Sequence, residues 1–179
     1  NRITFSLTNT LTARKPRPAE ADAKGPEAAY IPFLRFKLAE SFDINKHKQD
    51  DPRPFSDLLG ELDITPLRYL RLDGDALWRP YDGRFYGYNA AVRLWDLRGD
   101  AIGAVYRFTR EEPEVEVAGV ESITLAGLVK VTQSWGLRGH YERNIEDKHL
   151  IETGVGISYR TQCWGVDLDA KEEEENNRS

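Results

Sequence analysis

Residues 70–78 read Leu70-Arg71-Leu72-Asp73-Gly74-Asp75-Ala76-Leu77-Trp78. Apolar or small side chains stand at 70, 72, 74, 76 and 78, and ions at 71, 73 and 75. A β-strand sends alternate side chains to opposite faces, so this segment predicts a strand with one apolar and one ionic face. Ile151, Thr153, Val155, Ile157 and Tyr159 set against Glu152, Ser158 and Arg160 repeat the split. About ten such segments follow one another along the chain. The predicted strands are 2–13, 31–43, 57–64, 67–78, 84–96, 100–109, 119–133, 135–146, 149–161 and 163–172.

The apolar phase runs through Ile3, Phe5, Leu7, Leu34, Phe36, Leu38, Tyr86, Tyr88, Val92, Leu94, Tyr106, Leu125, Val129, Val131, Leu137 and Leu168. The opposite phase carries Arg35, Lys37, Arg71, Asp73, Asp75, Arg93, Arg107, Lys130, Arg138, His140 and Glu142. A slip of one residue would exchange the two faces, so register is strongly specified. Recurrent Gly, Thr and β-branched residues leave no 3.6-residue apolar stripe, so helices fit poorly. The fold class is all-β, an antiparallel up-and-down meander.

The charged residues make up 31% of the 179-residue chain, with a net charge of -5, and mean hydropathy is -0.60. Much of that charge falls in the connections Arg14–Lys24, Asn45–Arg53, Arg110–Glu116 and Lys171–Arg178. Both signs are interspersed, which leaves no basic stripe for nucleic acid. No apolar run approaches the eighteen or so residues of a membrane helix, but a barrel strand needs only about ten. A sheet apolar on one face and ionic on the other suits a barrel wall between lipid and water. It also suits the half-exposed sheet of a soluble sandwich or lipocalin-like carrier. The chain begins at Asn1 and contains no Met, as expected of a piece cut from a longer precursor.

Connection lengths carry a second pattern. Thr65–Leu67, Leu97–Asp100, Gln133–Ser134 and Thr161–Gln162 are short. Asn45–Phe55, Arg79–Gly83, Arg110–Ala118 and Asn144–Lys148, between them, are longer or more acidic. Short turns on one rim and longer loops on the other are the habit of outer-membrane barrels. The stretch Arg14–Ala29 departs from it, being long on the short-turn rim. Trp78, Tyr81, Phe85, Tyr86, Trp135, Tyr141 and Trp164 cluster towards strand ends, where interfacial girdles sit.

His140 beside Glu142 and Arg138 raises the idea of a barrel hydrolase, since imidazole and carboxylate are a usual acid–base pair. No nucleophile signature surrounds Ser122, Ser134 or Ser158. His47, His140 and His149 lack metal-ligand spacing, so neither a metal nor a cofactor is expected. Gly154-Val155-Gly156 lies inside a predicted strand, where small residues ease curvature or close approach.

Several stretches are more specific. GVGISYRTQCWGVDLDAKEEE (Gly154–Glu174) resembles the carboxy-terminal region of the lipopolysaccharide-assembly family LptD, formerly called organic solvent tolerance proteins. GELDITP (Gly60–Pro66), YLRLDGDALWRPYDGRF (Tyr69–Phe85) and LAGLVKVTQSWGLRGHYERN (Leu125–Asn144) are similar to that family's hairpins in the same order. The resemblance implies that residues 1–179 are the carboxy-terminal portion of a large outer-membrane β-barrel of a Gram-negative bacterium. It implies no enzymatic activity but a translocon that passes lipopolysaccharide to the outer leaflet. The implied partners are a plug lipoprotein, LptE, inside the barrel, the lipid of the outer membrane, and a periplasmic bridge reached through an amino-terminal domain not contained in this chain. It also implies a disulfide from Cys163 to that domain, although one cysteine stands where some members have an adjacent pair. A further closing strand is expected beyond the charged end of the chain.

Overall fold

The computed structural model describes residues 1–16, 28–48, 53–112, 119–146 and 149–173. Ten strands follow in chain order: β1 (Arg2–Pro16), β2 (Ala28–Asp43), β3 (Leu58–Leu67), β4 (Leu70–Arg79), β5 (Arg84–Trp95), β6 (Ala101–Thr109), β7 (Val120–Lys130), β8 (Trp135–Asn144), β9 (Leu150–Arg160) and β10 (Gly165–Glu173). One short helix, α1 (Ile44–Lys48), follows β2. The strands form a single antiparallel sheet in sequence order, with β1 and β10 as its edges. The all-β meander read from the alternation is the observed fold.

Register carries the alternation across the sheet. Arg35 faces Asp63, Asp63 faces Asp73 and Asp73 faces Ala91. Farther along, Arg107 faces Ser122, Thr124 faces Glu142 and Glu142 faces Glu152. Directly opposed residues share a face, so one phase of all ten strands makes one polar surface and the other makes one apolar surface. On the apolar side Leu38, Gly60, Ala76, Tyr88 and Phe108 follow one another strand by strand.

Among the described residues no hydrophobic side chain is buried. Leu7, Ile102, Val155 and Leu168 are 62%, 60%, 68% and 64% exposed. A soluble sandwich or lipocalin-like carrier would cover these side chains with a second layer or a closed interior. Every described strand instead belongs to this one sheet. The apolar face is left uncovered by the described residues.

The connections depart in places from expectation. β1 and β2 reach Pro16 and Ala28, so part of Arg14–Ala29 is a paired hairpin, and its remainder lies outside the described residues. α1 occupies the start of the connection 44–57, where the Asp43 carboxylate accepts from the Asn45 and Lys46 N–H groups. β3 runs on to Leu67, so the predicted turn at Thr65–Leu67 falls at Arg68 and Tyr69. The length contrast between rims rests on 44–57 and 110–119; 80–83 and 145–149 are no longer than 96–100 on the opposite rim. Two turns use a left-handed glycine, Gly83 (φ 62°) after β4 and Gly99 (φ 86°) after β5, a conformation that costs other residues steric strain.

A bulge corrects one side-chain assignment. Between Leu77 and Trp78 the register shifts, so Trp78 faces Phe85 rather than Tyr86. Phe85 fills the apolar phase, with rings 4.8 Å apart at 75°. Tyr86 turns instead to the Arg79 guanidinium, 4.3 Å from its ring centroid. Val131 likewise falls beyond the end of β7, in the turn before β8.

Candidate functional site: the charged face of the sheet

The charged face is a set of cross-strand ion pairs. Arg35 binds Asp63 at 3.3 Å, and Lys37 binds Glu61 at 3.0 Å. Arg71 reaches both Asp63 (3.3 Å) and Asp73 (2.7 Å), so Asp63 is shared by cations from two flanking strands. Asp75 accepts from the Asn89 amide at 2.9 Å. Most of these groups are a third to a half exposed. Each pair is therefore weak by itself, and the set makes a polar face more than it determines the fold.

On the last three strands two glycines allow longer reaches. Arg138 of β8 donates to Asp167 at 3.0 Å and to Asp169 at 2.7 and 2.5 Å, passing over β9. Gly156 lies beneath, and a Cβ there would stand 2.3 Å from the Asp169 Oδ1 and 2.6 Å from the Arg138 Nε. One step along, His140 Nε2 and Lys171 Nζ both meet Glu152, at 3.0 and 2.9 Å, beside Gly154. The glycines in this strand are thus explained by ions that need the space above them.

All the predicted lining residues share this face, but they divide by environment. Arg35, Lys37, Arg71, Asp73, Asp75, Arg138 and His140 have partners. Arg93, Arg107 and Lys130 make no side-chain hydrogen bond or ion pair to a described residue, and neither does Glu142. His140 therefore meets Glu152, on the next strand, and not Glu142. No described serine hydroxyl bonds His140; that of Ser158 donates to the Gly136 carbonyl. The hydrolase reading is left without a nucleophile at its histidine.

Sequence reasoning missed a knot at the rim where β4 ends. Arg79 pairs with Glu112 and with Asp57 at 3.3 Å, while stacking on Tyr86. These side chains are among the less exposed ions, Arg79 at 23% and Glu112 at 17%. The knot joins the end of β4 and the start of β5 to two connections distant in sequence, and no spacing within one strand announces it.

Aromatic side chains gather at both ends of the apolar face. At the β4–β5 end are Trp78 and Phe85, with Tyr88 stacked on Phe108 at 5.0 Å. Tyr81 stands in the adjoining loop, where its hydroxyl accepts the Phe55 N–H at 2.9 Å. Tyr141 lies towards the same end of β8. At the other end Tyr159 packs between Trp135 (4.5 Å) and Trp164 (5.3 Å). The apolar phase from Leu70 to Trp78 spans about 27 Å along the strand at ~3.4 Å per residue. At the ~35–45° tilt of barrel strands that length rises about 19–22 Å, most of an apolar band about 25 Å tall. Cys163 is free and exposed in the β9–β10 turn, on the rim that also holds the Arg68–Tyr69 turn.

Comparison with known proteins fits this arrangement. The family model described as LPS transport system D, LptD, matches residues 1–135. A protein of Alkalilimnicola ehrlichii named LPS-assembly protein LptD is 31% identical over 118 residues, covering 65% of this chain and 15% of the relative. The LPS-assembly protein LptD of Cupriavidus metallidurans is 22% identical over 165 residues, 92% of this chain and 19% of the relative. That of Methylococcus capsulatus is 20% identical over 123 residues, 63% and 12% respectively. The chain thus spans between 12 and 19% of the length of these relatives. The C. metallidurans match carries the similarity beyond residue 135 into the strands with the Arg138 cluster. With most of its length matched by that family model, this chain belongs to the LptD family.

Proposed function

We propose that the chain forms part of the wall of an outer-membrane β-barrel that assembles lipopolysaccharide into the outer leaflet of a Gram-negative bacterium. One observation carries the reading: a single ten-stranded sheet keeps most of its ions on one face and its uncovered apolar side chains on the other, with Glu40 and Glu121 as acidic residues towards one end of the apolar phase. Lipid solvates the second face and water the first. The relatives' names supply the cargo. The role is non-enzymatic: the acyl chains of the cargo stay with the membrane while its sugars pass along the polar side.

In this reading residues 1–179 are the carboxy-terminal portion of the barrel, and further strands of the same polypeptide pair with β1 and β10. Support comes from β1, whose apolar phase Ile3, Phe5 and Leu7 is 46%, 57% and 62% exposed beside an unpaired backbone edge. Soluble proteins blunt such edges with charge or proline, and β1 has neither between Ile3 and Ala13. The polar face would meet an LptE-like plug lipoprotein, and an amino-terminal domain would receive cargo from a periplasmic bridge. Cys163, exposed on the short-turn rim, would bond to that domain, with the opposite rim outside the cell.

The full-length gene product tests this. It is expected to fractionate with the outer membrane and to migrate heat-dependently on gels, and its depletion is expected to remove newly made lipopolysaccharide from the cell surface. A freely soluble product, or unchanged surface lipopolysaccharide on depletion, would end the reading. On non-reducing gels Cys163→Ser is expected to abolish one oxidised form of the full-length protein. Identical band patterns for both proteins would remove Cys163 from the disulfide scheme.

A further inference from the structure

The middle of the apolar face carries a carboxylate at its loop-bearing end. Glu121 of β7 lies on the apolar phase, directly opposite Phe108 of β6. Among the described residues its hydrogen-bonding partner is the Tyr106 hydroxyl, which donates at 2.7 Å. A carboxylate facing lipid is costly unless a counter-charge completes it. One neutral hydroxyl leaves that charge in place.

The setting of Glu121 is aromatic, with a cation beside it. Tyr88 stacks on Phe108 at 5.0 Å and on Tyr106 at 5.8 Å, and it is 37% exposed. Two residues beyond Phe108, Arg110 continues the same phase just past β6, its guanidinium carbon 5.8 Å from the Phe108 ring. The Arg110 Nε donates to the Phe85 carbonyl at 3.2 Å, which ties it to β5, while Tyr106 ties Glu121 farther down β6. Among the described residues no ion pair joins Glu121 to Arg110, or to Arg143 opposite Ile123. Opposite charges are thus held apart beside one aromatic surface, at the level where a bilayer has its head groups.

We propose that this patch is a head-group site for a resident lipid whose phosphate carries a primary ammonium, namely lipopolysaccharide decorated with phosphoethanolamine. The inference rests on the reading of the apolar face as lipid-facing and of this rim as the outer one. The ammonium completes the Glu121 carboxylate and lies against the rings of Tyr88 and Phe108, whose faces attract cations. The phosphate meets Arg110, whose planar guanidinium suits phosphate oxygens. The order of charges gives the selectivity. A phosphate without the amine sets like charge against Glu121, and an amine without the phosphate leaves Arg110 unanswered. The site lies outside the wall, on the opposite face from the ion pairs. A phospholipid with the same head group is the competing source, and the test separates the two.

The experiment places the full-length protein with its partners in phosphatidylglycerol nanodiscs containing lipopolysaccharide, either decorated with phosphoethanolamine or free of it. A photo-reactive benzoylphenylalanine replaces Ile123, which faces Tyr106, or Leu94 at the far end of the apolar face as reference. At Ile123 the decorated lipid is expected to give about fivefold more adduct than the undecorated one, the combined effect of two exposed charge contacts. At Leu94 the two should be equal. Glu121→Gln, which keeps an acceptor for the Tyr106 hydroxyl, and Arg110→Gln should each cut the preference to about twofold, the share of one contact. Glu121→Gln should not lower the yield from the undecorated lipid. Heat-dependent gel migration of each variant separates loss of contact from loss of folding. Equal yields from the two lipids at Ile123, or a preference that survives both substitutions, overturns the site and leaves the lipid-facing reading intact. Displacement of the decorated adduct by phosphatidylethanolamine at equal mole fraction also overturns it, by giving the site to the phospholipid. A folded wild-type complex that yields no lipid adduct at either position overturns the lipid-facing reading as well.

Discussion

An arginine placed at Val155 of the full-length protein is expected to destabilise it by about 2–4 kcal/mol, the cost of a cation at the lipid-facing midplane of a barrel. Val155 is the central apolar-phase residue of β9, between Gly139 and Ala170, and is 68% exposed. Nothing in the sheet can shield the new charge there, and the bilayer centre offers it no water. Thr124→Arg is the matched control. Thr124 lies on the charged face directly opposite Glu142, so its arginine enters a hydrated lining with a carboxylate in reach. Urea unfolding in liposomes should show a large loss for the first variant and little for the second. Equal losses at both positions would mean that the faces have been assigned to the wrong media.

Gly156→Ala is expected to cost about 1 kcal/mol, the loss of an exposed ion pair whose flexible side chains must swing aside. The methyl group would collide with Asp169 Oδ1 at 2.3 Å, Arg138 Nε at 2.6 Å and Arg138 Cγ at 2.8 Å. The collision forces Arg138 off Asp169, so the variant loses its bridge over β9 as well as its packing. Shortening the intruding partner should relieve it: Gly156→Ala combined with Arg138→Ala is expected to be more stable than Gly156→Ala alone. Such a cycle is informative because residues in direct contact are non-additive. Simple addition of the two single losses would show that the glycine is required by the backbone and not by the ions above it.

The parts of this fold legible in the sequence were those set within one strand. The phase of Leu70 to Trp78 assigned its faces before any partner was known, and the same held for Ile151 to Tyr159. What depends on how two strands are aligned was not legible. Tyr86 occupied the apolar phase by counting, yet one extra residue in the pairing of β4 with β5 gave that place to Phe85. Glu142 looked like the natural partner of His140 two residues away, but the imidazole meets Glu152, which lies diagonally across the pairing of β8 with β9. Arg138 and Asp169 are separated by a whole strand, and only the missing side chain at Gly156 lets them meet. The Arg79 knot failed to show for a related reason, since Asp57 and Glu112 reach it from connections that carry no periodicity. The charged face was visible as a phase, while its division into tied and untied ions needed the register.

The meander order of the sheet has a consequence for how the protein is made. Apart from α1 beside β1, the substantial contacts between elements are those of each strand with its neighbours in sequence. Among the described strands no pairing waits for a distant segment to arrive, so each strand pairs with the one made just before it. With no buried hydrophobic nucleus among the described residues, ordering can propagate hairpin by hairpin, as expected of a quasi-one-dimensional array. Such a chain can be threaded into a bilayer progressively, each new pair of strands templated on the exposed edge of the last.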